Sequence, residues 1–323
     1  MESLETVKEN RMASLEAVAL DQERWTLTAD RLKRGLEKAR LRIFGLSIGA
    51  AILAALAAEM HTAYPVASEA AGYAAAVALA LVVVVRAQGL SRQRVQAWVL
   101  AVAASRWLKS EMYQYRTSSG PYGDHFGGSP DATLLERRDD ILEKVKAIQR
   151  YSVEPDPKMV TKLGPLDADA YISERVNGAI NWFSRAAVHF VSAQGFWQKG
   201  EYILAIGGAL LAATLTITHN LAYAAWVAVV TTASVVVGAD NLAERYAEFA
   251  LTFRAMPARL TNILARWRAN HGTLDQLVEQ VEATLLEQSQ AWVAGADEFW
   301  AAKQERLSLQ RKTMLTPRSK LAR

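Results

Sequence analysis

The sequence predicts an all-α membrane protein: four transmembrane helices in two hairpins, with long helices extending into a cytoplasmic helical bundle. Three observations predict it: two long uncharged runs, basic residues at one end of each run, and a plan that occurs twice. Ile43 to Val85 carries only Glu59 and Glu69 as charges, and Tyr202 to Ala239 carries none. Each run is about twice the ~20 residues that cross ~30 Å of hydrocarbon. Backbone polar groups in lipid must be satisfied within the segment, so such spans are helices. The alternative is a pair of core hairpins in a soluble protein, but a soluble core rarely needs runs this long without a charge.

Taken in order, Arg42 precedes the first span, expected at about 43–60. Glu59 to Pro65 turns the chain, and the second span, about 69–86, closes at Arg86. The third is expected at 202–218, a tight turn at His219 and Asn220, and the fourth at 221–239. Lys33, Arg34, Lys38, Arg40, Arg42, Arg86, Arg92 and Arg94 surround the open end of the first hairpin, and its tip has no Lys or Arg. Arg185, Lys199 and Arg245 stand at the same end of the second. By the positive-inside bias both tips face outward, and both termini are cytoplasmic. Residues 1–42 are charged throughout without an apolar centre, so no cleavable signal is expected there.

The repeated plan runs helix, hairpin, helix, break, helix. Trp25 stands 17 residues before Arg42 and Trp182 stands 17 residues before Lys199, both pairs offset by 157. A Thr-x-x-Glu/Gln pattern opens a helix after each hairpin, at Thr133 to Glu136 and at Thr273 to Gln276, and each fits a capping box. The first repeat is 1–150, a linker 151–168, the second repeat 169–312 and a basic tail 313–323. Val18, Gln22, Trp25, Ala29, Leu32, Leu36, Ala39, Ile43 and Leu46 alternate spacings of three and four, so one stripe runs from the soluble arm into the first span. Ile172, Val176, Ala179 or Ile180, Phe183, Ala187, Phe190, Gln194 and Trp197 do the same before the third. Leu90 to Tyr115 and Leu242 to Trp267 read as helices leaving the membrane, the latter bent at Pro257, and 133–150 as a further helix. Ser118 to Pro130, with four glycines and two prolines, reads as a loop.

Composition narrows the chemistry. Of 323 residues 51% are hydrophobic and 22% charged, a mixture that fits half membrane and half water-soluble helix. A net charge of +4 is absorbed by membrane flanks and argues for lipid rather than nucleic acid as partner. There is no cysteine, hence no disulfide, thiol catalysis or thiolate metal site. The five histidines are scattered without metal-ligand spacing. Gly120 to Gly128 lacks the Gly-Lys-Ser/Thr ending of a phosphate loop and follows a helix rather than a strand. No catalytic residue, metal or cofactor is therefore assigned, and the chain is not expected to be an enzyme.

The spans carry small residues one turn apart: Gly45 and Gly49, Gly72 and Ala76, Gly208 and Ala212. Such faces let backbones approach, either within the four-helix unit or between protomers of a homo-oligomer. Thr214, Thr218 and Thr231 have two readings, hydroxyls bonded back to helix carbonyls or the lining of a pore. No charge lies inside the second hairpin, which disfavours proton relay and voltage sensing.

Scattered residues resemble a known family. Arg106 to Glu111 with Trp107, then Tyr115, Arg116 and Tyr122, look like the post-membrane segment of the SLATT family, two-span effector domains associated with SMODS and SLOG systems. Tyr171 and Arg175 followed by Trp182 resemble that family's opening helix, and Glu279, Glu282, Glu287 and Trp292 its acidic closing helix. The first half departs from this, with Val18 where Arg175 would align. The resemblance implies a tandem SLATT effector of the bacterial inner membrane, pore-forming or membrane-disrupting, that acts as a homo-oligomer in an antiviral or conflict defence system. It also implies a separate signal sensor or a nucleotide second messenger. The other reading is a membrane-anchored scaffold or sensor whose cytoplasmic bundle binds a partner.

Overall fold

A computed structural model describes residues 2–123, 128–159, 163–218, 226–227, 229–231 and 242–315. Among them there is helix and no strand. Helix α1 runs without interruption over Glu2–Met60, α2 over Pro65–Gly89 and α3 over Arg92–Arg116. Helix α4 spans Pro130–Lys144 and passes into a 3₁₀ turn at Lys146–Tyr151. A short α5, Ala168–Tyr171, leads through a π-helical turn at Ile172–Val176 into α6, Asn177–Thr218. Helices α7, Leu242–Ala269, and α8, Leu274–Leu315, complete the described chain. Two of these helical paths, Arg11–Met60 and Pro65–Arg116, are long and apolar enough to cross a membrane. The fourth expected span is described only at 226–227 and 229–231, and the turn at His219 and Asn220 lies outside the described residues.

The chain forms two compact units, and each draws on both sequence halves. The first comprises Met1–Lys33, Arg92–Ala168 and Gly272–Arg323, the second Arg34–Ser91 and Asp169–His271. In the first unit the predicted stripe of α1 is the core: Val18, Trp25 and Ala29, with Leu15 a turn earlier, are buried with Ala97, Ala101, Ala104 and Leu108 of α3. Alanines on α3 leave room for the bulky residues of α1, a large-to-small complementarity that gives dense packing. Leu134, Ile141, Val145 and Ile148 of α4 and its 3₁₀ continuation close the same core. Helix α8 adds Leu277, Val278 and Val281, all fully buried. Gln22, Thr26 and Ser105 hydrogen-bond to one another between α1 and α3.

The second unit holds an antiparallel hairpin of α1 and α2. The Ser68 hydroxyl donates to the Ala57 carbonyl at 2.7 Å near the turn. At the other end a Cβ on Gly89 would sit 2.5 Å from the Ala39 Cβ, so only glycine lets the helices meet there. Ser47, Ala50, Ala55 and Ala75 are buried between neighbours. The outward face is apolar and uncovered: Tyr73, Val77, Leu79, Leu81, Val83 and Val84 are exposed. Helices α6 and α7 pack together, burying Phe183 and Ala187, with Val176 of the π turn, on one side and Phe253, Met256 and Leu260 on the other. Helix α7 continues through Pro257 as part of one element.

Three local expectations are corrected. Thr133 is not a cap: the helix begins one turn earlier at Pro130, with the Ser129 side chain as acceptor for Ala132 N. Proline fits the first helical turn because its missing N–H would have no intrahelical partner there, so Ser-Pro outcompetes the Thr. The expected helix over 133–150 stops at Lys144 and tightens to 3₁₀. The glycine-bearing segment after α3 is not a bare loop, because Gly120–Tyr122 is a 3₁₀ turn with Tyr122 1% exposed. The second capping box is realised in both directions, Thr273 N to Gln276 Oε1 at 3.2 Å and Gln276 N to Thr273 Oγ1 at 3.3 Å.

Candidate functional site

The densest set of buried polar groups in the first unit gathers around the C-terminal end of α3. Glu111 and Tyr115 are four residues apart and so share one face of that helix. The chain then reverses through Ser118 and Gly120, both at positive φ, 50° and 58°. At Gly120 the amide donates to Asp275 Oδ1 of α8 at 2.7 Å, which ties the reversal to the capped end of that helix. The reversal brings Tyr122 back under α3, where its hydroxyl donates to Glu111 Oε2 at 2.5 Å. Arg137 of α4 pairs with the other oxygen of Glu111 at 3.4 Å. The Tyr115 hydroxyl donates to Asp131 at the start of α4, and accepts from Arg11 Nε of α1 at 3.2 Å. The two tyrosine rings meet edge to face, 5.5 Å between centroids. Four segments distant in sequence are therefore joined by two phenols.

Burial, then the Glu111 carboxylate beside it, pushes the Tyr122 phenol far above its ordinary value. Tyr115 is pushed up to about 12, first by burial and then by its bond to Asp131. Both are hydrogen-bond donors at neutral pH and do not exchange protons there. Because the folded value of Tyr115 lies above the unfolded 10, its contribution to stability is complete below pH 10 and is lost as pH rises through about 12. Thermal melts across this range should show a steeper alkaline loss for the native chain than for Tyr115→Phe.

A second cluster fixes α1 to α4. Asp21, with its side chain 3% exposed, takes Arg24 Nη1 at 2.6 Å and Arg138 Nε at 2.5 Å. Sequence reading did not single out this triad, although Asp21 and Arg24 have the i,i+3 spacing of a helical ion pair. On the opposite face of α3, Trp292 of α8 packs edge-on against Trp98 at 5.2 Å, with the Arg106 guanidinium 5.2 Å from its centroid. Arg106 also donates to Gln288 Oε1 at 2.8 Å.

The residues singled out by sequence fall into three groups. Glu111, Tyr115 and Tyr122 come together in the tyrosine cluster, while Trp107 lies under Lys144 at 5.8 Å and Trp292 sits on α8. In the second unit Tyr171 is buried, Arg175 stands in the π turn, and Trp182 packs on Phe183 and Phe253. In the spans, a Cβ at Gly45, Gly49 or Gly72 would meet nothing within 4 Å, whereas one at Gly208 would sit 3.2 Å from Val230. Ala76 is exposed. Thr214 and Thr231 donate to the carbonyls of Leu210 and Val227, each at 2.8 Å. The side chains of Ala212 and Thr218 lie outside the described residues.

The two phenols tie α1, α3, α4 and the chain reversal together. Both are locked as donors, and the described residues hold no group of three His, Cys, Asp or Glu suited to a metal ion. Residues 171–292 match the family SLATT_1, the SMODS and SLOG-associating 2TM effector domain 1. Residues 23–126 match DUF4231, a family of unknown function. One match falls in each half, consistent with a repeated plan. No curated protein and no solved structure matches the chain.

Proposed function

We propose, from the premise that residues 171–292 are a SLATT_1 domain, that this chain is a membrane effector of a prokaryotic conflict system. In this reading it crosses the bacterial inner membrane four times with both termini in the cytoplasm. It assembles as a homo-oligomer and opens a path through the bilayer when a separate sensor or a nucleotide signal acts on it. The observation that carries the reading is the uncovered apolar surface of α1 and α2. Only 17% and 6% of their most apolar windows are buried, which a soluble core helix would not tolerate and a lipid-facing one requires.

Two further features support it. Open space over Gly45, Gly49 and Gly72 leaves these small-residue positions available to a second copy, since no neighbour among the described residues fills them. Helix α1 contributes Glu2–Lys33 to one unit and Arg34 onward to the other without a break, so a displacement of the first unit has a stiff element through which to act. The Thr214 and Thr231 hydroxyls are back-bonded to their own helices, so a broad, weakly selective path fits better than a filter of converging polar rings.

The test is dye release from liposomes containing the purified full chain, with and without candidate signals, beside growth after overexpression. Release, together with growth arrest, is the expected result. An absence of both overturns the pore reading and leaves the membrane-anchored scaffold.

A further inference from the structure

Within the first unit, a cavity of about 90 Å³ opens between α1 and the chain that follows α4. It is lined by Arg24, Trp25, Lys146, Gln149, Ser152 and Glu154, among others. Two of these bring buried N–H donors without a hydrogen-bond partner among the described residues, Arg24 Nε and Trp25 Nε1. Trp25 is 3% exposed, so bulk water does not serve its indole nitrogen. Leaving such a donor unmet costs roughly 1–3 kcal/mol, and Trp N–H groups are usually partnered when buried. Two adjacent residues of one helix thus line the same cavity and each carries an orphan donor, an arrangement that a bound acceptor resolves.

We propose that this cavity binds a small oxyanion, of phosphate size and charge, either free or as the phosphoryl group of a larger ligand. The volume holds several water-sized groups, enough for such an ion. The donors include two cations: the Arg24 guanidinium, and the Lys146 ammonium, which is held on Glu143 at 3.0 Å. Charge-assisted N–H donors favour an anion over a neutral carbonyl or water. Asp21 holds Arg24 Nη1 at 2.6 Å and stays in place, so the exchangeable competitor is Glu154. It occupies Arg24 Nη2 at 3.0 Å, yet its side chain is 79% exposed, so an incoming oxyanion displaces it to solvent at small cost. The neighbouring Val153 amide stays on the Thr28 hydroxyl at 3.0 Å and keeps the segment in place. The site lies apart from the tyrosine cluster and does not depend on the pore reading.

The experiment is isothermal titration of inorganic phosphate into the full chain in nanodiscs of neutral phosphatidylcholine, with chloride held constant. Saturable binding is expected, weakened about tenfold in Trp25→Phe, which keeps an aromatic side chain but removes the pyrrole ring with its N–H donor, and similarly in Lys146→Met, which leaves the core untouched. Glu154→Gln removes the competing charge and should bind several-fold tighter, an effect that a purely structural role for these residues would not give. Loss of the phosphate signal in nanodiscs made with phosphatidylglycerol would assign the site to a lipid headgroup, and competition by adenosine monophosphate would assign it to a soluble phosphoryl ligand. No saturable binding in neutral nanodiscs, or equal affinity in the native chain, Lys146→Met and Glu154→Gln, overturns the proposal. The latter two substitutions lie at exposed side chains, so the test stands even if Trp25→Phe fails to fold.

Discussion

Val77→Asp is expected to abolish stable membrane insertion of the first hairpin. Val77 lies 12 residues from each end of α2, at its centre, and is 59% exposed. A carboxylate at the middle of a span costs about 2.5–3.5 kcal/mol for insertion. No partner is at hand, because the described neighbours of this face are themselves apolar. The protein should leave the membrane fraction for aggregates or degradation, while Val77→Leu stays in it. Equal recovery of both variants in detergent-free cytosol would mean that α2 does not face lipid.

The second large effect concerns the first unit. Asp21→Ala removes the one carboxylate that holds Arg24 and Arg138 together, leaving two partly buried guanidiniums facing each other. Breaking a fully buried pair costs about 3–5 kcal/mol. Here the arginines keep 29% and 27% exposure, so roughly 2–4 kcal/mol is expected. Asp21→Asn retains acceptor capacity on one oxygen and should lose less. Chemical denaturation of the full chain in micelles, followed by the near-ultraviolet signal of its tryptophans, checks the order native, Asn, Ala. If Asp21→Ala matched the native midpoint, the triad would not be what joins α1 to α4.

Much of this architecture could be read in advance, where local pattern and burial agree. The α1 stripe from Val18 to Ala39 is written in its three-four spacing, and Val18, Trp25, Ala29, Leu36 and Ala39 are buried, with Gln22 and Leu32 half-buried. The turn between Met60 and Pro65 was announced by polar residues and a proline, and the helices stop and restart there. Elsewhere local signals competed. Thr133 looked like a cap, but Ser129-Pro130 satisfied the same amides a turn earlier. The segment after Ser118 has loop composition, and nothing local shows that Tyr122 will be swallowed beneath α3 by a carboxylate on its neighbouring turn. Glu111, Tyr115 and Tyr122 were noticed only through family likeness; their i,i+4 and i,i+7 placement around a chain reversal is intelligible once the reversal is known.

The same limit applies to how the chain divides. The expected repeats run end to end, whereas the compact units take α3, α4 and α8 into one and the α1–α2 hairpin, α6 and α7 into the other. Periodicity tells which face of a helix is buried but not which helix will bury it. The Asp21, Arg24 and Arg138 triad, drawn from α1 and α4, and the orphan donors of Arg24 and Trp25 belong to that second kind of information.

Topology is the claim on which the functional reading rests, and the absence of cysteine from the chain makes it directly measurable. Single cysteines placed at Thr62, Asn220 and Gln149 would be exposed to a membrane-impermeant maleimide on intact spheroplasts. Labelling of the first two before lysis, and of the third only after it, is the predicted result. Labelling of Gln149→Cys in intact cells, or of Asn220→Cys only in broken ones, would contradict a chain that crosses the bilayer four times with its helical bundle inside.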